Sequence, residues 1–281
     1  MDAEFHPAME AARRGDVERF TELLRQDPSL VTRRSSRSHP TLLQFLVLET
    51  LGAPTAPAMA KALIEAGADI HRPLVAAASI DNPVMVELLL DAGAEVDGDG
   101  RWSPLEEALY WGSKRSVQVL LARGASVKTL RAAAALGRMD VAKGCFRADG
   151  SLDVDAAGPV ESPFEGWFAG PRAREPQEIL DNAFVFACMY GQTEVASFLL
   201  DRGARIDSIP LGFDYAGTGL HYAAHEGQRE MVEFLLKQGA DPTVKDKKVH
   251  VTPAEWAVHG KHKEIQELLE REERRWAGSA P

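Results

Sequence analysis

Cysteine is scarce: Cys145 and Cys188 are the two in 281 residues, which makes no disulfide framework and fits a reducing compartment. Long apolar runs are missing too, and no uninterrupted stretch is long enough for a membrane span. The N-terminus, M-D-A-E-F-H-P-A-M-E-A-A-R-R-G-D, has mixed charge and no long apolar run, so no signal peptide is expected. Positive charge is in deficit. A net charge of -10 disfavours non-specific binding to nucleic acid or an anionic membrane and mildly favours a basic partner. The chain has no G-x-S-x-G, no Walker loop and no Rossmann glycine pattern. Gly212 to Gly219 is glycine-rich but lacks the Lys and the strand context of a phosphate cradle, and reads as a turn. What remains is the composition of a soluble protein, expected in the cytoplasm, without a cofactor and as a monomer.

What is present is clearest between Thr218 and Asp241, T-G-L-H-Y-A-A-H-E-G-Q-R-E-M-V-E-F-L-L-K-Q-G-A-D. Thr218 is placed to cap a helix, although Gly219 follows where proline would suit better. Leu220, Ala223 and Ala224 give an apolar edge at helical spacing, with small residues where a neighbouring helix must approach closely. Gly227 ends this helix. Met231, Val232, Phe234, Leu235 and Leu236 form the face of a second one, which Gly239 terminates. Two short helices cannot bury these faces alone, and need copies of themselves on either side.

This stretch resembles an ankyrin repeat along its whole length, and most of the chain can be laid over it in register. Repeats are expected to start near residues 6, 40, 72, 103, 128, 182, 218 and 252, about eight in all, close to the period of roughly 33 residues. The resemblance implies an all-α solenoid of helix-turn-helix repeats, one domain over 3–274 with a frayed tail at 275–281. Asp27-Pro28 replaces Gly-Ala in the first repeat, and Leu51 to Pro57 interrupts the second. Gly144 weakens the second helix of the fifth. The largest departure is the insert 149–175, rich in Gly, Pro, Ala and acid yet carrying Phe164, Trp167 and Phe168. It is far longer than an ordinary connection. Long aromatic inserts and degenerate early repeats look like the bacterial ankyrin-repeat proteins.

Such a fold implies binding of another protein through a concave groove and projecting finger loops, without catalysis. In that family the two residues before each turn glycine face the groove. Here these are Arg13 and Arg14, Ser79 and Ile80, Tyr110 and Trp111, Ala135 and Leu136, Met189 and Tyr190, and His225 and Glu226. Trp102 and Tyr215 stand in adjoining fingers. Trp102, Tyr110, Trp111, Met189, Tyr190 and Tyr215 are the expected contact residues, being of types enriched in binding hot spots. Phe164, Trp167 and Phe168 either join them or fold back and cover them, and both arrangements stand open. The arginines at 13, 14, 33, 34 and 37 read first as a solvated face.

Two other classes compete. One is an inhibitory or regulatory subunit for a basic enzyme or toxin. The other is a metal-dependent enzyme using His221 and His225, which lie at i and i+4 on one helix. His221 occupies the histidine position of the T-x-L-H motif, where the resemblance implies a structural role, and no third ligand is evident nearby. His262 falls at a common turn position, and the two cysteines face the stack as small hydrophobes. Metal binding is therefore not expected.

Overall fold

The architecture of residues 2–36, 40–98, 102–161 and 171–279 is described by a computed structural model. Every regular element among them is helical, and the nearest approach to a strand is one antiparallel bridge between Phe146 and Leu152. The chain divides into two compact units, residues 1–126 and 127–281.

In the first unit the helices are α1 (His6–Arg14), α2 (Val17–Gln26), α3 (Leu42–Glu49), α4 (Ala56–Glu65), α5 (His71–Ser79), α6 (Pro83–Asp91), α7 (Pro104–Tyr110) and α8 (Lys114–Ala122). They stack as two layers: α1 meets α3, α3 meets α5 and α5 meets α7, while α2, α4, α6 and α8 succeed one another in the same way. Each helix is too short to be stable alone, so its apolar face must find a neighbour. Phe5, Phe20, Phe45, Met59, Leu74, Met85 and Leu89 are buried between them.

The second unit holds α9 (Leu130–Ala135), α10 (Met139–Gly144), α11 (Val154–Ala157), α12 (Pro176–Met189), α13 (Thr193–Asp201), α14 (Gly219–His225), α15 (Arg229–Lys237), α16 (Pro253–His259) and α17 (Lys263–Ser279). Here α9, α12, α14 and α16 form one succession, and α13 packs on α15. Gly144 ends α10 after six residues. The insert contributes α11, which packs on α9 and α12, and its Ala157, Val160 and Ala173 join the core of this unit. The Val160 N–H donates to the Ala173 carbonyl at 2.8 Å, and Arg131 Nη1 donates to the Pro159 carbonyl at 2.5 Å. Phe164, Trp167 and Phe168 lie outside the described residues.

α12 begins at Pro176, ahead of Asn182, and every residue from Glu178 to Met189 is buried. Burying Asp181 is tolerable because its carboxylate is saturated. It accepts from the Arg205 backbone at 2.8 Å, from Arg205 Nε and Nη2 at 2.8 and 2.6 Å, and from Gln177 at 2.9 Å. At the other end of the chain, α17 continues through 275–279, where the sequence leads one to expect fraying. Pairs such as Gln266 with Glu270 and Arg275 with Glu272 line it at helical spacing.

Within each pair the turn needs a left-handed residue, supplied by Gly15, Gly112, Gly137, Gly191 and Gly227. Two turns do without glycine: Asp81 stands there at φ 53° and Lys261 at φ 64°. Gly260, the glycine next to Lys261, is instead right-handed at φ -69°. The residue after the turn residue then reaches back to the preceding turn. Ser113 donates to the Ser79 carbonyl at 3.0 Å, Gln192 to that of Ala135 at 3.3 Å and Gln228 to that of Met189 at 3.3 Å. Gln192, Gln228 and His262 consequently lie over Gly137, Gly191 and Gly227, where a Cβ would meet them within 2.5 Å.

Replacing Lys261 by glycine removes the left-handed penalty and is expected to stabilise the protein by about 0.5–1 kcal/mol, read as a higher urea midpoint. Gly227→Ala should move the midpoint the opposite way by more than about 1 kcal/mol, since φ is positive and the added methyl meets the His262 ring. A neutral Gly227→Ala would contradict this account of the turn.

Candidate partner-binding surface

Ser103 caps α7, accepting from the Glu106 N–H at 3.1 Å, and Pro104 at the first helical position fixes the entry of the chain. The helix carries Glu107 into the interior, where its two carboxylate oxygens accept separate indole N–H groups. One comes from Trp102, just before the helix, and the other from Trp111, one turn later, at 2.9 Å. Burial pushes the Glu107 carboxyl above its ordinary range, and the two indole bonds oppose that rise. Tyr110 stands edge-on to both rings, with centroids 6.1 Å from Trp102 and 5.1 Å from Trp111. The three aromatics expected from the sequence are thus together, but differently exposed. Tyr110 is buried, Trp102 is half-buried, and Trp111 keeps 46% of its surface exposed. An i+4 bond to a fixed carboxylate holds Trp111 in place.

The second unit builds its aromatics into a run. Phe186 on α12 packs against Phe213 (5.0 Å between centroids), Phe213 against Tyr222 (4.8 Å), Tyr222 against Trp256 (5.0 Å), and Trp256 against Tyr215 (6.1 Å). The end of the run is the most open: Tyr215 is 53% exposed and Tyr222 is half-buried, whereas Phe186, Phe213 and Trp256 are buried. Met189 is buried as well, because it ends the enclosed helix α12, and Tyr190 beyond it is half-buried. Of the remaining groove positions, Arg13, Arg14 and His225 are exposed, Ser79, Ile80, Leu136 and Glu226 are half-buried, and Ala135 is buried. Arg13 lies over the Phe45 ring at 5.2 Å and Arg14 pairs with Glu10 at 2.7 Å.

Trp256 is oriented by a buried acid that spacing alone does not reveal. Asp246 Oδ2 accepts the Trp256 indole N–H and the Val251 N–H, both at 3.1 Å, while Oδ1 accepts the N–H groups of Lys248 and Val249 at 2.8 Å. Burial pushes the Asp246 carboxyl up. The donors from Val249, Trp256, Lys248 and Val251 outweigh that and hold it at about 2.

Of the two histidines at i and i+4, His221 is committed to structure. His221 is fully buried; its Nδ1 accepts the Thr218 backbone N–H at 3.1 Å, so Nε2 carries the proton and donates to the Val251 carbonyl at 3.1 Å. Nδ1 thus closes the N-terminus of its own helix, while Nε2 ties this helix pair to the next. His225 instead meets Glu226 at 3.1 Å. Among the described residues, no group of three or more His, Cys, Asp or Glu side chains is arranged to hold a metal ion. Both thiols are buried, and burial raises the pKa of each, leaving neither activated as a nucleophile. Among the same residues no helix is long and apolar enough to cross a membrane.

Comparison with known proteins agrees with this geometry. The sequence profile of ankyrin repeats in three copies matches residues 53–131 and 170–246, more than half of the chain. Palmitoyltransferase ZDHHC13 of Mus musculus is 37% identical over 78 residues, 28% of this chain and 12% of that protein. Ankyrin repeat, SAM and basic leucine zipper domain-containing protein 1 of Homo sapiens is 29% identical over 118 residues, 39% of this chain and 24% of that protein. Palmitoyltransferase ZDHHC17 of Danio rerio is 32% identical over 78 residues, again 28% of this chain and 12% of the relative. The chain therefore spans at most about a quarter of the length of these relatives.

The His221 bonds carry a pH signature. Burial holds the folded-state pKa at about 4, below the ordinary 6.5, so the unfolded chain takes up the proton first. The stabilisation is complete above pH 6.5 and is lost as pH falls from there through 4, a loss on the order of 3 kcal/mol. Thermal melts between pH 7 and 4 should show this decline in the wild type and much less of it in His221→Gln. Equal declines in the two proteins would contradict the assignment.

Proposed function

We propose that this chain, which belongs to the ankyrin-repeat family, acts by binding a partner protein and not by catalysis. In this reading the repeats form one domain, the aromatic positions of its groove and fingers make the contact, and the protein works as a monomer in the cytoplasm. Ankyrin repeats are generally protein-interaction modules, and the palmitoyltransferases are matched over only 12% of their length, so their transfer activity is not carried over to this chain.

The observation that supports the reading most is the state of Trp111. A tryptophan with nearly half its surface in water is anchored through its indole to a buried carboxylate and braced edge-on by Tyr110. A ring so held has little side-chain freedom left to lose when a partner covers it, which is what makes a rigid aromatic an efficient anchor. A second reading, an inhibitory or regulatory subunit for a basic enzyme or toxin, is supported by the net charge of -10. Binding that collapses at raised salt would favour it over aromatic anchoring.

The test is affinity capture from lysate of the source cell with wild type beside Trp111→Ala/Tyr190→Ala. The double variant is expected to keep its helical circular dichroism and lose the captured partner, a cost of about 2 kcal/mol or more. Undiminished capture by the folded double variant would remove the groove from the account.

A further inference from the structure

We propose that two adjoining finger loops of the second unit, centred on Tyr215 and on residues 245–250, form a docking surface for an acidic linear segment of a partner protein, with an apolar residue beside its carboxylates. The proposal deepens the protein-binding reading and rests on it.

The loops act as one surface because they are bonded together. The Lys247 N–H donates to the Ala216 carbonyl at 3.1 Å, and Lys248 Nζ bridges to Asp214 at 2.6 Å while lying 4.2 Å from the centroid of the Tyr215 ring. The second loop, K-D-K-K-V-H, holds three lysines and one acid. That acid is Asp246, 1% exposed, with its carboxylate turned inward onto three backbone N–H groups and the Trp256 indole. Folding therefore removes the only negative charge of the loop from its surface. Lys245 and Lys247 remain exposed, with no carboxylate in ion-pairing reach among the described residues. Tyr215 and Val249, 53% and 54% exposed, give the same surface its apolar component. His250 is also exposed and sits at φ 60°, a strained conformation that the Asp246 bonds hold in place.

The result is a rigid cationic and apolar tip on a chain of net charge -10. Charge complementarity selects an acidic ligand for the tip. The same net charge favours a peptide over an anionic bilayer. A membrane presents negative charge to every part of the protein within a Debye length of about 10 Å, whereas an extended peptide meets only the tip.

The experiment pans short random peptides displayed on phage against the full chain, beside Lys245→Glu/Lys247→Glu and Lys245→Arg/Lys247→Arg. The wild type is expected to enrich peptides with clustered Asp or Glu around an apolar residue. A synthesised winner should bind the Glu variant about tenfold or more weakly, keep its affinity for the Arg variant, and weaken at raised salt. Failure to enrich acidic peptides, or equal affinity for the Glu variant, overturns the proposal. So does binding of phosphatidylserine vesicles that the Glu variant loses while no acidic peptide is enriched, which would assign the tip to a lipid surface. Peptides lost on Trp111→Ala but retained by the Glu variant would remove the docking tip and leave the protein-binding reading standing.

Discussion

A pair of short helices has two apolar faces and can close only one of them on itself, so each pair here depends on the next for its stability. Polar groups that the stacking encloses must then be satisfied inside it, some from a neighbouring repeat and some from within their own. His221 bonds the Val251 carbonyl, and the Asp181 carboxylate accepts from Arg205, well along the chain. Gln192 and Gln228 each donate to a carbonyl of the turn before. These bonds are individually worth about 1 kcal/mol, more where a charge is involved, but leaving one unmade inside the stack costs more than making it gains. The stack is therefore specific as well as cohesive: a slipped register would strand these groups.

The same economy positions the aromatics. Glu107 and Asp246 are both buried, and each spends a carboxylate oxygen on a tryptophan. In the first unit this leaves Trp111 half in water but fixed; in the second it fixes Trp256, against which the exposed Tyr215 rests. Rigidity at the surface is thus produced by charge in the interior. A protein that binds with such side chains loses little conformational freedom on association.

Helix pairing, the turn glycines and the burial of the cysteines were legible in the sequence, because each follows from the spacing of apolar residues and from the freedom of glycine to be left-handed. His221 was legible through its motif. Lys261 was less so: Gly260 beside it looks like the turn residue, but counting from the Thr252 cap puts the left-handed position one residue later. The burial of Tyr110 and Met189 was hidden because position before a turn reports direction along the repeat, not what a neighbouring element covers. Nothing in the sequence around Glu107 or Asp246 marks a buried carboxylate that accepts from an indole. The 57-residue separation of Gln192 from Ala135, stretched by the insert, breaks the phase that links the other turns.

The central claim is that interior carboxylates hold the tryptophans in place before any partner arrives. Its most direct measurement is solvent exchange of the indole N–H groups, by nuclear magnetic resonance of the free protein labelled at nitrogen. The account predicts slowed exchange for Trp111 although its ring is exposed, together with Trp102 and Trp256, and faster exchange of Trp102 and Trp111 in Glu107→Leu with Trp256 unchanged. Exchange of the Trp111 indole at the rate of a free side chain in the wild type would contradict it.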